Sequence, residues 1–84
     1  MFKLEFSKLF IKSLLKLSKV EQRAVNAKLT LFKQDPQHPS LRTKRVHQYD
    51  GAFALSVNMD IRILWEYADD RTILLLDVGH HDIL

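Results

Sequence analysis

Residues 52–78, AFALSVNMDIRILWEYADDRTILLLDV, contain three apolar runs separated by two short polar segments. The runs cover residues 52–57, 61–67 and 72–78, and Asn and Asp residues lie between them. Apolar runs of this length, bounded by such turn residues, are typical of β-strands. Because short turns join antiparallel neighbours, this segment predicts a three-stranded antiparallel sheet.

The lengths of the two turns predict which residues face each other in that sheet. A three-residue turn at residues 58–60 places Ser56 opposite Arg62, and a two-residue turn at residues 69–70 places Asp77 opposite Arg62. We therefore expect three polar side chains next to one another on one face. A one-residue change in either turn would move them to the other face.

One face of the predicted sheet is apolar enough to be buried under helices. It comprises Phe53, Leu55, Val57, Ile61, Ile63, Trp65, Leu74, Leu76 and Val78. The opposite face carries Arg62 and, if the third strand continues past Gly79, also His81, because side chains alternate with period two. Any chemistry is expected on this open face.

The chain before residue 35 predicts a short strand followed by two helices. Residues 2–6 alternate apolar and charged side chains, as a strand with one buried face does. Ser7 is expected to cap a first helix, and Ser18 a second one over residues 19–34. The expected core positions recur every three to four residues: Phe6, Leu9, Phe10, Leu14, Leu17, Val20, Ala24, Ala27 and Leu31, widened by Val25, Leu29 and Phe32. The predicted class is α+β, with a two-helix hairpin packed on one face of a twisted, mainly antiparallel sheet.

Length and composition exclude several classes of protein. At 84 residues the chain is too short for two cores, so residues 1–84 are expected to form one domain. The chain has no cysteine, which excludes disulfides and thiolate metal sites. No run approaches the roughly 18 apolar residues of a membrane span, and the N-terminal residues lack the apolar run of a signal peptide. We expect a cytoplasmic protein without membrane association.

Basic charge is concentrated in the first half of the chain. Residues 1–45 hold 11 Lys or Arg against 3 Asp or Glu, and residues 46–84 hold 2 against 7. On the predicted helices, basic residues recur on one surface as Lys8, Lys12, Lys16, Lys19 and Arg23. Such a surface fits a phosphate backbone or an acidic protein, and it equally fits the solvated lysines of an ordinary helical face.

The candidate site consists of Arg62 and His81 on the open face, bordered by a basic segment with Lys44, Arg45 and His47. A guanidinium group can neutralise the charge of a pentavalent phosphate, and an imidazole can transfer protons near neutral pH. RNA supplies its own nucleophile, the 2′-hydroxyl. These residue types therefore point to RNA cleavage that needs neither a metal ion nor a cofactor.

Each of these residues also has a structural interpretation. Arg62 opposite Asp77 can be a simple cross-strand ion pair. His81 can be an end residue that faces solvent, and it makes a poor chelating pair with His80 because adjacent strand residues point to opposite faces. Tyr49, within the basic segment, is placed to stack on a base or is an ordinary loop tyrosine.

After the opening strand and two basic helices the chain has three further segments: LRTKRV at 41–46, VNMDIRILWEY at 57–67 and LLLDVGHHD at 74–82. In this order and spacing the chain resembles the RelE/ParE superfamily of bacterial type II toxin-antitoxin toxins. The resemblance covers nearly the whole chain. It implies the RelE-like fold and a cognate antitoxin that wraps around the toxin and neutralises it.

The resemblance also implies roles for individual residues. Many members cleave mRNA in the ribosomal decoding site. Arg62 matches the arginine that contacts the scissile phosphate in RNA-cleaving members, and His81 matches a catalytic Arg or His near the end. Lys44 and Arg45 fall in the region that supplies phosphate-binding residues. His47 is our candidate for the second proton carrier.

Three functions are compatible with the sequence. The first is a metal-independent, ribosome-dependent mRNA endonuclease whose partners are an antitoxin, mRNA and the ribosome. The second is a ParE-like toxin that inhibits DNA gyrase and does not need His81. The third is an inactive relative, because the sequence stops at Leu84, before the family's usual C-terminal aromatic residue, and because Asp77 would compete with RNA for Arg62.

Overall fold

Five β-strands form a mixed sheet, and two helices cover one of its faces. The computed structural model describes residues 1–81. The elements are β1 (Lys3–Phe6), α1 (Lys8–Leu15), α2 (Lys19–Gln34), a 3₁₀ turn (Pro39–Leu41), β2 (Lys44–Arg45), β3 (Ala52–Ser56), β4 (Ile61–Tyr67) and β5 (Thr72–His80). The strand order is β1-β5-β4-β3-β2, with β1 parallel to β5 and the other pairs antiparallel. The predicted α+β class is confirmed.

The main core lies between the helices and the sheet. The helices and the segment after them contribute Phe10, Leu17, Val25, Leu29, Phe32 and Leu41. The sheet and its turns contribute Leu55, Val57, Ile61, Ile63, Trp65, Ile73, Leu75 and Val78. The opposite sheet face carries a smaller apolar cluster of Val46, Ala52, Ala54 and Leu64, which leaves room there for polar side chains.

Serine side chains begin both helices, as predicted. Ser7 Oγ accepts a hydrogen bond from the Phe10 N–H at 2.9 Å and donates one to the Leu76 carbonyl at 2.8 Å, so it also ties α1 to β5. Ser18 and Glu21 form a capping box, in which each side chain accepts the backbone N–H of the other residue. These bonds satisfy N–H groups that the first turn of a helix cannot pair internally.

The helices bury only part of the predicted apolar surface: Phe10, Leu17, Val25, Leu29 and Phe32 are buried as predicted. The predicted core positions Phe6, Leu9 and Val20 are 48%, 54% and 69% exposed, so this part of the prediction is wrong. The fully or nearly buried residues of α2 are one turn apart: Val25, Leu29 and Phe32. Two apolar stripes adjoin on α2, and only the angle at which the helix docks on the sheet selects between them. Within residues 1–81 no helix is long and apolar enough to span a membrane.

The register of β3 and β4 is confirmed, and that of β4 and β5 is wrong. Ser56 faces Arg62 as predicted. The second turn is one residue longer than expected, because Tyr67 faces Ile73. Asp69 Oδ1 accepts the Arg71 N–H at 2.8 Å, which stabilises the longer loop and holds the pKa of Asp69 below its ordinary value.

A β-bulge changes the register again within β5. Trp65 faces Leu75, whereas Leu64 faces Asp77, so Leu76 is the extra residue between them. The longer turn and the bulge together have two consequences for the predicted faces. Ile73 and Leu75 lie in the core in place of Leu74 and Leu76, and Val78 is buried as predicted. Arg62 faces Gly79, and the predicted pairing of Arg62 with Asp77 is wrong.

The capping box predicts that the charge of Glu21 stabilises the fold in a pH-dependent manner. The variant Glu21→Gln should lack this pH-dependent contribution. The Ser18 N–H is the main cause that lowers the pKa of Glu21, followed by His80, whose Nε2 lies 2.9 Å from Glu21 Oε2. Since the folded pKa is lowered, the stabilisation is present above the ordinary pKa of a glutamate and is lost as the pH falls through the lowered value. Gln keeps a side-chain acceptor for the Ser18 N–H but not the charge.

We therefore expect wild type to be more stable than Glu21→Gln near pH 7, and the difference to vanish as the pH falls from about 6 to about 3. Urea unfolding at several pH values measures it. Glu5→Gln, at an exposed strand position, is the matched control. A difference between wild type and Glu21→Gln that does not change with pH would contradict this prediction.

Candidate functional site

Arg62 lies near the start of β4, on the face away from the helices, and is half-buried. Its Nη1 donates to the Asn58 carbonyl at 2.7 Å and to the Ile61 carbonyl at 3.2 Å. Asn58 Oδ1 in turn accepts the N–H groups of Asp60 and Ile61, which stabilises the turn that carries these contacts. No carboxylate of residues 1–81 forms an ion pair with Arg62. The guanidinium group is therefore oriented by neutral acceptors and keeps its charge available for an anion.

A groove of about 450 Å³ lies next to Arg62, between β2 and the open faces of β3 and β4. We call it the basic groove. Its lining residues are Arg42, Lys44, Arg45, Val46, His47, Gln48, Ala54, Ser56 and Arg62. The structure thus brings together four of the predicted site residues. Among the described residues no carboxylate lines this groove, so its potential is positive and attracts anions.

A second groove, of about 430 Å³, is also lined by Arg62, and we call it the neighbouring groove. It is lined by Lys28, Ser40, Arg42, Ser56, Val57, Asn58, Met59 and Arg62. Ser56, Arg42 and Arg62 line both grooves. An extended anion that occupies both grooves would therefore meet Arg62 in each of them.

His81 is not among the residues that line either groove. It follows β5 as an exposed residue. Gly79 faces Arg62 across the sheet. His81 comes two residues later, which corresponds to about 7 Å along a strand beyond the position opposite Arg62. The strand ends at His80, and the period-two argument therefore does not determine the direction of the His81 side chain. His80 contacts Glu21 of α2, on the helix side of the sheet.

Tyr49 lies in the loop between β2 and β3 and is 53% exposed. The Tyr49 N–H bonds the Val46 carbonyl, and the Ala52 N–H bonds the Tyr49 carbonyl. Gly51 has a φ of 79°, which glycine adopts readily, and completes this turn. The turn holds His47 in the wall of the basic groove and leaves Tyr49 outside it.

Sequence reasoning missed two basic residues of the site. Lys28 projects from α2 into the neighbouring groove. Arg42 ends the 3₁₀ turn with φ 49° and ψ 45°, the left-handed conformation, which is uncommon for a residue with a side chain. Arginine carries no sequence signal for that conformation. The basic segment 41–50 indicated a cluster of charge here, but not that Arg42 borders both grooves.

Two further expectations concern metal binding and the C-terminus. Within the described residues, no three His, Asp or Glu side chains are close enough to one another to share a metal ion. The expectation that was based on the C-terminal aromatic residue concerns the end of the chain, which lies outside the described residues 1–81.

Solved structures show the same fold. No model of a known protein family matches the chain, and no curated protein has a matching sequence. A chain of the toxin-antitoxin complex RelBE2 from Mycobacterium tuberculosis is 21% identical with a TM-score of 0.76, and the match covers 95% of this chain and 98% of that one. YafQ from Escherichia coli is 15% identical with a TM-score of 0.79, and the match covers 99% and 97%.

A copper-bound mutant toxin from Helicobacter pylori is 23% identical with a TM-score of 0.69, and the match covers 100% of this chain and 99% of that one. At these identities the likeness is one of fold. The short N-terminal strand, two helices and five-stranded sheet of this chain match the fold of these structures. The resemblance predicted from the sequence is confirmed at this level, and the chain has the RelE-like α+β fold.

Proposed function

We propose that the protein is the toxin of a toxin-antitoxin system and cleaves mRNA on the ribosome without a metal ion. The observation that carries this proposal is Arg62, which has no carboxylate partner among residues 1–81 and lines two grooves that no described carboxylate lines. The similar structures support the toxin role, since RelBE2 and DinJ-YafQ are toxin-antitoxin complexes. Asp77 faces Leu64 and forms no ion pair with Arg62, because the longer turn and the bulge together move it from the position opposite Arg62.

The proposed reaction is a transesterification within the RNA. The 2′-oxygen forms a bond to the adjacent phosphorus, the bond from phosphorus to the 5′-oxygen breaks, and a 2′,3′-cyclic phosphate remains. A base takes the proton of the 2′-hydroxyl, and an acid gives one to the leaving 5′-oxygen. Arg62 stabilises the charge of the pentavalent phosphorus. We assign the two proton transfers to His47, in the wall of the basic groove, and His81, after β5.

An antitoxin would bind the surface formed by the two helices. The basic residues Lys8, Lys12, Lys16, Lys19 and Arg23 are all exposed. Exposed apolar side chains lie among them, notably Leu9, Leu15 and Val20. Basic and apolar groups that alternate on one surface suit an acidic, amphipathic segment that folds on binding.

The test is a primer-extension map of a reporter mRNA in a translating extract, with wild type, His47→Ala and His81→Ala. We expect wild type to produce discrete cuts and each histidine variant to lose about 10²–10⁴-fold in rate, the usual contribution of a general acid or base. His80→Ala is the matched control, because His80 contacts Glu21 on the helix side and should leave the cuts unchanged.

Intact mRNA with folded wild-type protein would overturn the nuclease proposal. Loss of DNA supercoiling by gyrase in the same samples would then favour the ParE-like alternative. Normal growth of cells that express the protein would favour an inactive relative.

A further inference from the structure

Arg42 has a backbone conformation that arginine rarely adopts. Its φ of 49° and ψ of 45° lie in the left-handed region, and within residues 1–81 no other residue apart from glycine has a positive φ. Glycine has no Cβ atom and asparagine tolerates this region, whereas an arginine there is strained. Strained residues of this kind cluster at binding and catalytic sites. The Arg42 side chain is therefore a candidate for a functional role.

The side chain of Arg42 is open to a ligand. Arg42 is exposed, and no carboxylate of residues 1–81 forms an ion pair with it. Its backbone is fixed, because the Arg42 N–H bonds the Pro39 carbonyl at the end of the 3₁₀ turn. An exposed guanidinium group on a fixed backbone keeps its fork of N–H donors available for an anion.

The basic groove and the neighbouring groove share Arg42, Ser56 and Arg62. Ser56 lies opposite Arg62 in the register of β3 and β4, so both side chains lie on the open face of the sheet. Arg42 reaches the same two grooves from the segment after the 3₁₀ turn. An RNA strand that occupies both grooves therefore meets two guanidinium groups that come from different elements of the fold.

The proposed reaction gives the pentavalent phosphorus two negative charges. A phosphodiester carries one negative charge, and the deprotonated 2′-oxygen brings the second when it adds to the phosphorus. Arg62 supplies one positive charge, and its Nη1 is already bonded to the Asn58 and Ile61 carbonyls. A second guanidinium group would balance the second negative charge and donate to the oxygens that Arg62 does not reach.

We propose that Arg42 and Arg62 bind the same phosphate of the RNA, the one at which the strand is cut. This inference rests on the proposed function, because it assigns a further residue to the same site. RNA is favoured over an acidic protein segment by Met59, which is 88% exposed and lines the neighbouring groove. Its side chain offers a ribose or a base an apolar surface beside the two cations.

The first test is RNA binding at several salt concentrations, measured by fluorescence anisotropy. The probe is a short labelled oligomer of 2′-fluorouridine, which has no 2′-hydroxyl and cannot be cleaved. Arg42→Gly removes the guanidinium group and retains the left-handed conformation. We expect it to weaken binding about tenfold at low salt. The slope of log affinity against log salt should become shallower by about 0.7, the value for one lost contact to a single-strand phosphate.

The matched control is Arg71→Ala, which also removes one exposed guanidinium group but lines neither groove. Its affinity and its salt slope should equal those of wild type. Arg42→Asn should behave like Arg42→Gly, and Arg42→Lys should recover only part of the affinity, because it keeps the charge without the planar fork.

A double variant tests whether one phosphate is shared. If Arg42 and Arg62 bind the same phosphate, Arg42→Gly combined with Arg62→Ala should lose less affinity than the product of the two single losses. Fully independent losses would assign the two residues to different phosphates and would overturn the proposal. In the primer-extension assay, Arg42→Gly should also slow cleavage by about 10²-fold.

Stability separates a binding role of Arg42 from a structural one. Arg42→Gly and Arg42→Asn relieve the backbone strain, so their urea midpoints should equal or exceed that of wild type. Midpoints below that of wild type for both variants would assign Arg42 a structural role and overturn the proposal.

The outcomes also distinguish this proposal from the nuclease proposal. Coupled losses of RNA binding support the shared phosphate even if wild type fails to cut mRNA, in which case only the nuclease proposal falls. Wild-type RNA binding and cleavage by Arg42→Gly would overturn the shared phosphate and leave the nuclease proposal intact. A loss of affinity for a glutamate-rich peptide but not for RNA would also overturn it and assign Arg42 to an acidic protein partner.

Discussion

Arg62→Ala is expected to abolish detectable mRNA cleavage, with a loss of at least about 10²–10³-fold, the usual cost of removing one group that stabilises transition-state charge. The fold should survive. Within residues 1–81 the Arg62 side chain bonds only the Asn58 and Ile61 carbonyls, at a partly exposed position, so the loss of stability should be about 1 kcal/mol. Primer extension measures the cuts, and urea unfolding confirms that the variant is folded.

Two further variants sharpen this prediction. Arg62→Lys keeps the charge but not the planar fork of donors, so it should recover only part of the lost rate. Arg71→Ala is the matched control, because Arg71 is an exposed arginine in the β4–β5 turn and lines neither groove. Cleavage at the wild-type rate by folded Arg62→Ala would remove Arg62 from the mechanism.

Leu75→Lys is expected to prevent folding, whereas Leu74→Lys should be tolerated. Leu75 is fully buried in the main core. Replacing it removes packing worth about 2–5 kcal/mol and buries a charge at a cost of several more. Together these costs are comparable to the total stability of a typical domain, about 5–15 kcal/mol.

Leu74 occupies the other face and lies between two glutamates. It is only half-buried, and its neighbours in register are Glu5 of β1 and Glu66 of β4. A lysine there gains opposite charges on both sides, so the stability should change by about 1 kcal/mol or less. Soluble yield, near-UV circular dichroism and urea unfolding distinguish the two variants.

Leu75→Met is the conservative control and should fold, because it preserves the volume and apolar character of the side chain. The opposite result, a folded Leu75→Lys and an unfolded Leu74→Lys, would restore the register predicted from a two-residue turn. The pair of variants therefore tests the length of the β4–β5 turn directly.

Local chemistry was sufficient to predict most of the elements. Ser7 and Ser18 predict the helix starts, because their side chains accept hydrogen bonds from N–H groups of the first turn. The end of α2 was also predicted, from Asp35 before Pro36. The turn at residues 58–60 could also be predicted from the sequence, since the Asn58 side chain accepts backbone N–H groups of the turn itself. These interactions join residues at most four positions apart, so the local sequence alone is enough to predict them.

The interactions between strands could not be predicted from the local sequence in the same way. The additional residue in the β4–β5 turn and the bulge at Leu76 are decided by which apolar side chains fill the space under the helices. Leu74, Leu75 and Leu76 are chemically identical, so no pattern distinguishes the one that is buried. The prediction that Asp77 faces Arg62 was wrong for this reason.

The sequence by itself determined the element order, the helix caps, the predicted RelE-like fold and the residue types of the site. Only the tertiary structure decided that Arg62 is separated from Asp77, that His47 shares its groove, and that Arg42 lines both grooves that Arg62 lines. The physical reason is how far apart in the sequence the interacting residues lie. Caps and turns depend on neighbours in the chain, whereas register, grooves and charge environment depend on packing between residues that are distant in sequence.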